Sequence, residues 1–438
     1  MTPRGHLLTF HTEAFITPPV FLYLLLPNSF HEATFGHNRI LSGAEVPKQE
    51  LEEIRKKITT LDSDLLSLLA TRQGLTNQVA ETKVKNQIPV RDQAREEQLL
   101  IRLIKQGQKV GLDPHFVTQL FHVIIEDSVL NQQAMLARWA NPGSEKPLNR
   151  VAFLGDKGSY SYLATQKYFS RRPGELLEIG CQSFGEIINK VESGEADFAV
   201  LPIENTSSGS INEVYDQLQH TRLSIVGELT HPIKHALLVA EGVDVSKIKT
   251  LYAHPQVFAQ CSHFLAELGN VEVKPCDSTS AAMITVNELH SGEAAAIGSE
   301  AGGALYGLKA IKSNLANQKE NHSRFIVVAS DSVKVPLQVP AKTTLIMSTV
   351  QKPGALVEAL LVLRDNQINM TKLESRPITG NPWEEMFYLD VEGNIADGPM
   401  QKAFEALRGM TRYFKVLGCY PVEEVSPTKV AAVNALME

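Results

Sequence analysis

The sequence predicts a chain of three successive folded parts: an all-helical part, an α/β part, and a small module with the order βαββαβ. Three observations predict this. Residues 47–85 repeat apolar side chains at spacings of three and four and contain one glycine, Gly74. From Val151 the pattern changes to short apolar runs that alternate with helical stretches. A chain of 438 residues is long enough for about three domains.

The bulk composition is that of an ordinary globular protein, with 43% apolar and 21% charged residues. A formal charge of -7 and a pI near 6.0 argue against a protein that binds nucleic acid or acidic membranes. The four cysteines show neither CxxC pairs nor metal-type histidine spacing, so we expect no disulfide framework, no metal site and a reducing cytoplasmic location. They are Cys181, Cys261, Cys276 and Cys419.

Residues 1–45 differ in character from the rest. Their apolar run FITPPVFLYLLL is too short to span a bilayer. Glu13 and Pro18-Pro19 interrupt what a signal peptide would need, and no small-residue cleavage site follows. We expect a disordered or loosely docked extension, or upstream sequence included by a misassigned start codon.

Residues 46–139 form the predicted helical domain. One long amphipathic helix ends at Ile88-Pro89-Val90, and a second runs from about Asp92 to Lys105. Asp113-Pro114 has the pattern of an N-cap followed by the first helical residue, and the third helix continues to about Trp139. Residues 140–149, rich in Pro, Gly, Ser and charge, form a predicted linker.

Charged residues of the first helix cannot all serve one chain. Arg72 and Lys83 are eleven residues apart and differ by only about 20° in azimuth, so they share a face. Arg55 precedes Lys83 by 28 residues, roughly 42 Å along a straight helix, so a second copy would have to bring it near Lys83. The alternative is that these are ordinary solvated helix charges.

The stretches LEEIRKKITTLDSDLLSLLATR, KVKNQIPVRDQAREEQLL and FHVIIEDSVLNQQ resemble the all-helical chorismate mutase family. This family is an intertwined dimer in which the first helix donates its early arginine to the partner's site. The resemblance implies a set of substrate-binding residues, with Arg95 close by. The set is Arg55, Arg72, Lys83, Asp92, Glu96, Ser128 and Gln132.

Chorismate is a dicarboxylate that rearranges through a pericyclic transition state, so the reaction needs no cofactor and no nucleophile. Two arginines would hold the two carboxylates. Lys83 and Gln132 would donate to the breaking ether oxygen, where negative charge develops. Asp92 and Glu96 would orient the ring hydroxyl, and Ser128 would hydrogen-bond a carboxylate.

Residues 150–331 form the predicted α/β domain. In ADFAVLPIENTSSGSINEVYDQL a buried strand delivers short polar side chains to a glycine turn, where open α/β sheets bind ligands. The alternative is a polar turn that caps the next helix. The turn GDKGSYS lacks the G-x-G-x-x-G spacing, so we expect no dinucleotide site there.

With LYAHPQVFAQCS, DSTSAAM, IGSEAGGALYGL and NHSRFIVVA, this region resembles prephenate dehydratase. The resemblance implies two α/β lobes around a cleft, like a periplasmic binding protein. The reaction removes a carboxylate and a hydroxyl from prephenate and yields phenylpyruvate. It requires a general acid near the leaving hydroxyl and donors for the carboxylates.

The family's Thr-Arg-Phe motif, which carries the essential hydroxyl, reads Ser323-Arg324-Phe325 here. Asn205 and Gln260 match cleft positions, so the implied substrate-binding set is Asn205, Gln260, Ser323 and Arg324. Ala253 stands where the family has a hydroxyl residue, which puts rate or affinity in doubt. Three histidines could act as acids or bases, but we favour local hydrogen bonding for them. They are His231, His235 and His254.

Residues 332–341 form a second predicted linker, and residues 342–425 the βαββαβ, ferredoxin-like module. QKPGALVEAL and KLESRP resemble the GALV and ESRP motifs of the phenylalanine-binding ACT domain. The alternative is a module with a purely structural role. The implied regulatory site consists of Gly354, Ala355, Leu356, Val357, Glu374, Ser375, Arg376 and Pro377.

These resemblances predict a bifunctional enzyme of phenylalanine biosynthesis that converts chorismate to prephenate and then to phenylpyruvate, without cofactor or metal. We expect inhibition by phenylalanine and a homodimer or higher oligomer that binds neither nucleic acid nor membrane. A mutase fused to prephenate dehydrogenase would need a nicotinamide fingerprint, which the sequence lacks. A two-lobed sensing protein with inert catalytic domains is the alternative from another class.

Overall fold

The computed structural model describes residues 48–86, 88–378, 381–423 and 427–428. The predicted extension, residues 1–45, lies outside the described residues. The chain divides into two compact units, one up to Leu65 and one from Leu66 onward. None of the helices in the described ranges combines the length and apolar character needed to cross a membrane.

The N-terminal region is helical, as predicted. Its helices are α1 (Lys48–Lys85), α2 (Gln93–Lys109) and α3 (Pro114–Ala140). Asp92 caps α2 by accepting a hydrogen bond from the backbone N–H of Arg95 at 3.0 Å, and Asp113 caps α3 in the same way. Both caps satisfy amides that the first helical turn leaves unpaired.

The segment predicted as the second linker is part of the helical core. Val335 and Val339 pack with apolar residues of all three helices. Asn141 Nδ2 donates to the Lys334 carbonyl at 2.9 Å, and Asn141 Oδ1 accepts from the Lys334 N–H at 2.8 Å. The predicted linker is therefore anchored to the helical region. The first predicted linker is also shorter than expected, because a strand begins at Leu148.

The middle region is a two-lobed α/β fold, as predicted. A single 3-10 turn, Val245–Lys247, lies in its second half. In chain order the elements are β1 (Leu148–Leu154), α4 (Tyr160–Phe169), β2 (Glu175–Cys181), α5 (Phe184–Glu192), β3 (Phe198–Asn205), β4 (Gly209–Ser210), α6 (Asn212–His220), β5 (Ser224–Pro232), β6 (Ala236–Val239), β7 (Thr250–Ala253), α7 (Pro255–Gln260), α8 (Ser262–Leu268), β8 (Glu272–Pro275), α9 (Thr279–Leu289), β9 (Ala294–Gly298), α10 (Glu300–Leu305), β10 (Lys309–Ser313) and β11 (His322–Ala329).

Each lobe contains one sheet. The first has the strand order β2-β1-β3-β11-β5, with β4 paired to β3, and the second has the order β10-β6-β9-β7-β8. The chain enters the second lobe after β5 and returns to the first lobe before β11. Because β5 and β11 are neighbouring strands, the two segments that connect the lobes lie side by side. The returning strand β11 is antiparallel to both β3 and β5. The end of β3 and the start of β11 therefore meet at one edge of the first lobe.

Strand β11 separates two apolar layers because successive side chains on a strand point to opposite faces. Phe325 and Val327 pack with α4, whereas Ile326 and Val328 pack with α5 and α6. All four side chains are buried. This alternation determines which way each residue at the start of β11 can point.

The C-terminal module has the predicted βαββαβ order, and its sheet order is β13-β14-β12-β15. One sheet face is covered by its two helices, and the other packs on the first lobe through Ile346, Tyr388 and Tyr420. Gly418 lies against the Ile225 carbonyl of the first lobe, where a Cβ would clash. The elements are β12 (Ala341–Thr349), α11 (Ala355–Asp365), β13 (Met370–Ile378), β14 (Asn381–Glu392), α12 (Gly398–Met410) and β15 (Thr411–Pro421).

Candidate functional sites

The first cluster lies in the helical region, where α1 and α3 face each other. Arg72 Nη1 of α1 donates to Ser128 Oγ of α3, and Lys83 Nζ donates to the carbonyl oxygen of Val90. Burial lowers the pKa of both basic groups, and nearby carboxylates oppose this effect. Two partly desolvated cations therefore face one small region.

The start of α2 contributes acidic residues to the same cluster. Glu96 is buried and accepts from Arg91 Nη2 at 3.3 Å. Asp92 and Glu96 are close enough to Lys83 to favour its charged form. Arg91 is a contact of Glu96 that the sequence interpretation missed, although its place next to Asp92 on a helix-breaking loop was a usable signal.

Gln132 is buried on α3, one helical turn after Ser128. Its Nε2 donates to the Ser128 carbonyl at 3.1 Å. Its Oε1 is buried and has no hydrogen-bond partner in the described part of the chain. An unpaired buried acceptor is costly, by about 1–3 kcal/mol, so a ligand that supplies a donor would be favoured here.

Arg55 lies on an exposed part of α1, within the first compact unit. The leucine and isoleucine side chains between residues 51 and 68 of α1 are exposed as well, by 43–68% of their surface. They are Leu51, Ile54, Ile58, Leu61, Leu65, Leu66 and Leu68.

The second cluster lies where β3 ends and β11 begins. Asn205 Nδ2 donates to Ser323 Oγ at 3.0 Å and to Asn321 Oδ1 at 2.7 Å. Gln260, from the second lobe, donates through Nε2 to Asn205 Oδ1 at 3.3 Å. Asn205 and Ser323 are both buried. The structure thus brings three of the four predicted dehydratase residues together across the two lobes.

A further set of hydrogen bonds holds Gln260. His235 Nε2 lies 2.8 Å from Gln260 Oε1, and His235 Nδ1 lies 3.0 Å from the Tyr160 hydroxyl. Burial lowers the pKa of His235, so its neutral form is favoured, although Gln260 opposes the shift. The prediction that His235 acts as a local hydrogen-bonder is confirmed. Tyr160 and Asn321 were missed, because only the folded chain brings them near Gln260.

The other predicted positions of this region behave differently. His254 caps α7 by accepting from the Gln256 N–H at 3.2 Å. His231 lies opposite Ser323 on β5, and its Nδ1 has no partner among the described residues. Local hydrogen bonding is thus confirmed for His254 but not found at that atom of His231. Ala253 is fully buried in the core of the second lobe, so its methyl group packs inward.

Arg324 points away from Ser323 and toward the C-terminal module. Its guanidinium lies 2.6 Å from Asp390 and 2.8 Å from Glu228, and Nη2 donates to the Tyr420 hydroxyl at 3.3 Å. Burial opposes the charge of Arg324, but Asp390 and Glu228 outweigh it and raise the pKa. These contacts do not favour the predicted role in substrate binding, because the side chain lies on the opposite face of the strand from the Ser323 hydroxyl.

The two C-terminal motifs show distinct environments. Gly354 adopts a φ of 81° just before α11, a conformation that favours glycine, and Val357 is exposed. On β13, Arg376 binds Asp216 of α6 with contacts of 2.9–3.1 Å, and Glu374 accepts from Ser210 at 2.6 Å.

The charged side chains of the second motif therefore face the first lobe. Ser375 and Pro377 lie on the other, exposed face of β13. Of the remaining predicted positions, Ala355 is buried and Leu356 packs against the core of the module.

Two known families match the regions of the chain that contain these two clusters. The model of chorismate mutase type II matches residues 54–133, and that of prephenate dehydratase matches residues 151–333. A bifunctional chorismate mutase/prephenate dehydratase from Enterobacter agglomerans is 54% identical over 383 residues, 87% of this chain and 99% of that protein. The chain belongs to the bifunctional chorismate mutase/prephenate dehydratase family.

Other members and solved structures extend the comparison. The bifunctional chorismate mutase/prephenate dehydratase of Escherichia coli K12 is 54% identical over 374 residues, covering 85% of this chain and 97% of that one. The prephenate dehydratase of Arthrobacter aurescens, solved with L-Phe, is 27% identical with a TM-score of 0.57, covering 66% of this chain and 95% of that one. A quorum-quenching acylase is 30% identical with a TM-score of 0.57, covering 62% and 97%.

Membership in this family assigns both activities, chorismate mutase and prephenate dehydratase, to one chain. The mutase match lies within the helical region, and the dehydratase match covers the two-lobed fold. The first cluster accordingly lies in the mutase part, and the second in the dehydratase part.

Proposed function

We propose that the first cluster is the chorismate mutase site, completed by a second copy of the chain. Arg72, Lys83, Asp92, Glu96, Ser128 and Gln132 come from one chain, and Arg55 comes from the partner subunit. The observation that carries this assignment is the convergence of Arg72, Ser128, Lys83 and Glu96 from three helices. Ordinary solvated helix charges would not be partly buried together.

The exposed apolar side chains of α1 support the second copy. Between residues 51 and 68, the seven exposed leucine and isoleucine side chains are a costly surface for a chain in water. A dimer that pairs these helices would bury them. Arg55, which lies among them, would then be carried to the partner's cluster.

The chemistry of the mutase site follows from its donors. Arg72, whose Nη1 is held by Ser128, binds one carboxylate of chorismate, and Arg55 of the partner subunit binds the other. Lys83 moves its ammonium from the Val90 carbonyl to the breaking ether oxygen, where negative charge grows in the transition state. The Gln132 amide must rotate to donate to the same oxygen, because its Nε2 is paired with the Ser128 carbonyl in the free protein.

The second cluster is proposed to be the prephenate dehydratase site, with Ser323 as the functional hydroxyl. Asn205 donates to Ser323 Oγ, so a lone pair of that oxygen is occupied. The serine proton therefore remains available to the leaving hydroxyl of prephenate. The same hydrogen bond restricts rotation of the serine, which lacks the β-methyl that stiffens the family's threonine.

The C-terminal module is proposed to be an ACT domain through which phenylalanine inhibits the enzyme. The βαββαβ order, the glycine conformation at Gly354 and the L-Phe complex of the Arthrobacter relative support this. Ser375, Pro377 and Val357 offer exposed positions for a ligand, with Gly354, Ala355 and Leu356 at the helix start. Glu374 and Arg376, which bind the first lobe, would transmit the change to the dehydratase.

One experiment tests the three proposals together. Chorismate is supplied to the purified full chain, and prephenate and phenylpyruvate are followed separately, with and without phenylalanine. We expect both products, and less phenylpyruvate when phenylalanine is present. Prephenate that accumulates without phenylalanine would contradict the dehydratase assignment. If neither product formed, the alternative of an inert sensing protein would be favoured.

A further inference from the structure

Thr428, near the C-terminus, lies in the mutase cluster. Its hydroxyl donates to Glu96 Oε2 and accepts from Arg91 Nη2 at 3.3 Å. Its carbonyl oxygen lies 3.2 Å from His122 Nε2 of α3. The threonine is 8% exposed, so it is a buried component of this site.

The C-terminal module reaches the mutase region through both of its ends. On the entering side, the Gln338 carbonyl accepts from the Val90 N–H at 2.9 Å, next to the carbonyl that pairs with Lys83. On the leaving side, the Val422 N–H donates to the Pro340 carbonyl at 2.9 Å. The two ends of the module are thus tied together beside the loop that precedes α2.

The chain from the last strand to Thr428 is short. Thr428 is the seventh residue after Pro421, a span of at most about 25 Å when fully extended. Thr428 is therefore tethered within this distance of the end of β15, so a large shift of the module relative to the helices would pull on it. Glu96, by contrast, is fixed on α2.

Thr428 and chorismate offer Glu96 the same chemical group. Glu96 is a buried carboxylate, and the proposed substrate role for it is to accept a hydrogen bond from the ring hydroxyl. The threonine hydroxyl already occupies that carboxylate oxygen. We propose that Thr428 is an internal competitive ligand of the mutase site, which chorismate must displace before it can bind.

This inference rests on the proposed role of Glu96 and goes beyond it. When a site is available for only a fraction of the time, the apparent affinity falls by that fraction, while turnover of the bound substrate is unchanged. The contact therefore raises the KM for chorismate and leaves kcat as it is. Because Thr428 follows the last strand of the C-terminal module, a change in the position of that module would alter the affinity of the mutase site for chorismate.

The test compares Thr428→Val with Thr428→Ser in the full chain. Valine keeps the shape and removes the hydroxyl, whereas serine keeps the hydroxyl. We expect Thr428→Val to lower the KM for chorismate about tenfold to a hundredfold with kcat unchanged, the size expected for one hydrogen bond to a charged group. Thr428→Ser should stay close to the wild type. The dehydratase KM, measured with prephenate, should be the same in all three proteins.

A Thr428→Val protein with the wild-type KM for chorismate would overturn the proposal. A lower kcat in that protein would overturn it as well, since the threonine would then assist the reaction. Glu96→Gln separates this from a failure of the site assignment. If Glu96→Gln loses mutase activity while Thr428→Val behaves as the wild type, only the competitive contact is wrong. If Glu96→Gln keeps full mutase activity, the assignment of Glu96 itself is wrong.

Discussion

Replacing Ser323 by alanine should separate catalysis from stability in the dehydratase domain. The substitution removes one hydroxyl, which accepts a single hydrogen bond from Asn205. Asn205 Nδ2 keeps two other acceptors, Asn321 Oδ1 at 2.7 Å and the His322 carbonyl at 3.1 Å, so no buried donor is left unpaired. The loss of folding stability should be about 1 kcal/mol or less.

The effect on the reaction should be much larger. A positioned general acid contributes about 10²–10⁴-fold, which corresponds to about 3–5 kcal/mol of transition-state stabilisation. Ser323→Ala should therefore reduce kcat for phenylpyruvate formation by at least about a hundredfold, while chorismate mutase activity stays unchanged. Both activities are measured on the same preparation, with phenylpyruvate followed by its absorbance and thermal unfolding followed in parallel.

Two further variants make this test decisive. Ser330→Ala, at an exposed position just after β11, removes a serine hydroxyl outside the cleft and should change neither activity. Ser323→Thr restores the family's residue and should keep dehydratase activity. The reasoning is refuted if Ser323→Ala retains more than about a tenth of the wild-type kcat, because that loss is too small for a general acid.

Two other predictions concern buried ionisable side chains. Asp390→Asn leaves Arg324 with one fewer buried carboxylate, so it should lower the free energy of unfolding in urea by about 3 kcal/mol. The control Asp365→Asn breaks an exposed ion pair and should cost less than about 1 kcal/mol. Burial lowers the pKa of His231 to about 4, so the folded protein favours the neutral imidazole. This contribution to the free energy of unfolding is fully present above about pH 6.5. It falls by at most about 1.4 kcal/mol per pH unit as the pH is lowered toward 4. His231→Asn should remove this part of the acid sensitivity, and the exposed His290→Asn should not; equal slopes in both variants would contradict the assignment.

Much of the fold follows from local patterns that a single sequence displays. The three-four spacing and the caps Asp92 and Asp113 determine the helices, because these signals act within a few residues. The alternation of apolar runs and polar turns likewise places Asn205 and Ser323 at strand ends. Their meeting follows from the antiparallel pairing of β3 with β11, which spacing alone does not predict; the family resemblance implied only that both residues line one cleft.

The sequence contains a signal for the orientation of Arg324 that the prediction of its role in substrate binding did not use. Ser323 and Arg324 are consecutive on a strand, so they had to point to opposite faces. The partners of Arg324 could not be found in the same way, because Glu228 and Asp390 come from distant strands. The anchored segment with Val335 and Val339 is similar. Its alternating valines were visible, but the helical core that receives them forms only in the folded chain.

The shared mutase site leads to a test by complementation between two inactive chains. Arg55→Ala removes the residue that each chain gives to its partner, and Lys83→Met removes one that each chain keeps. Either variant alone should lack mutase activity, because every site in its dimer is incomplete. In a mixed dimer, one site receives Lys83 from one chain and Arg55 from the other, while the second site lacks both.

Random pairing in a co-expression would make half of the dimers mixed, so about a quarter of the wild-type sites would be intact. We therefore expect mutase activity near a quarter of the wild type in the co-expressed sample and none above background in a mixture of the two proteins that cannot exchange subunits. The dehydratase activity of every sample should be normal and serves as the measure of folded protein. Activity of the Arg55→Ala protein alone, or a co-expressed sample without activity, would mean that the site is complete within one chain or that Arg55 has no part in it.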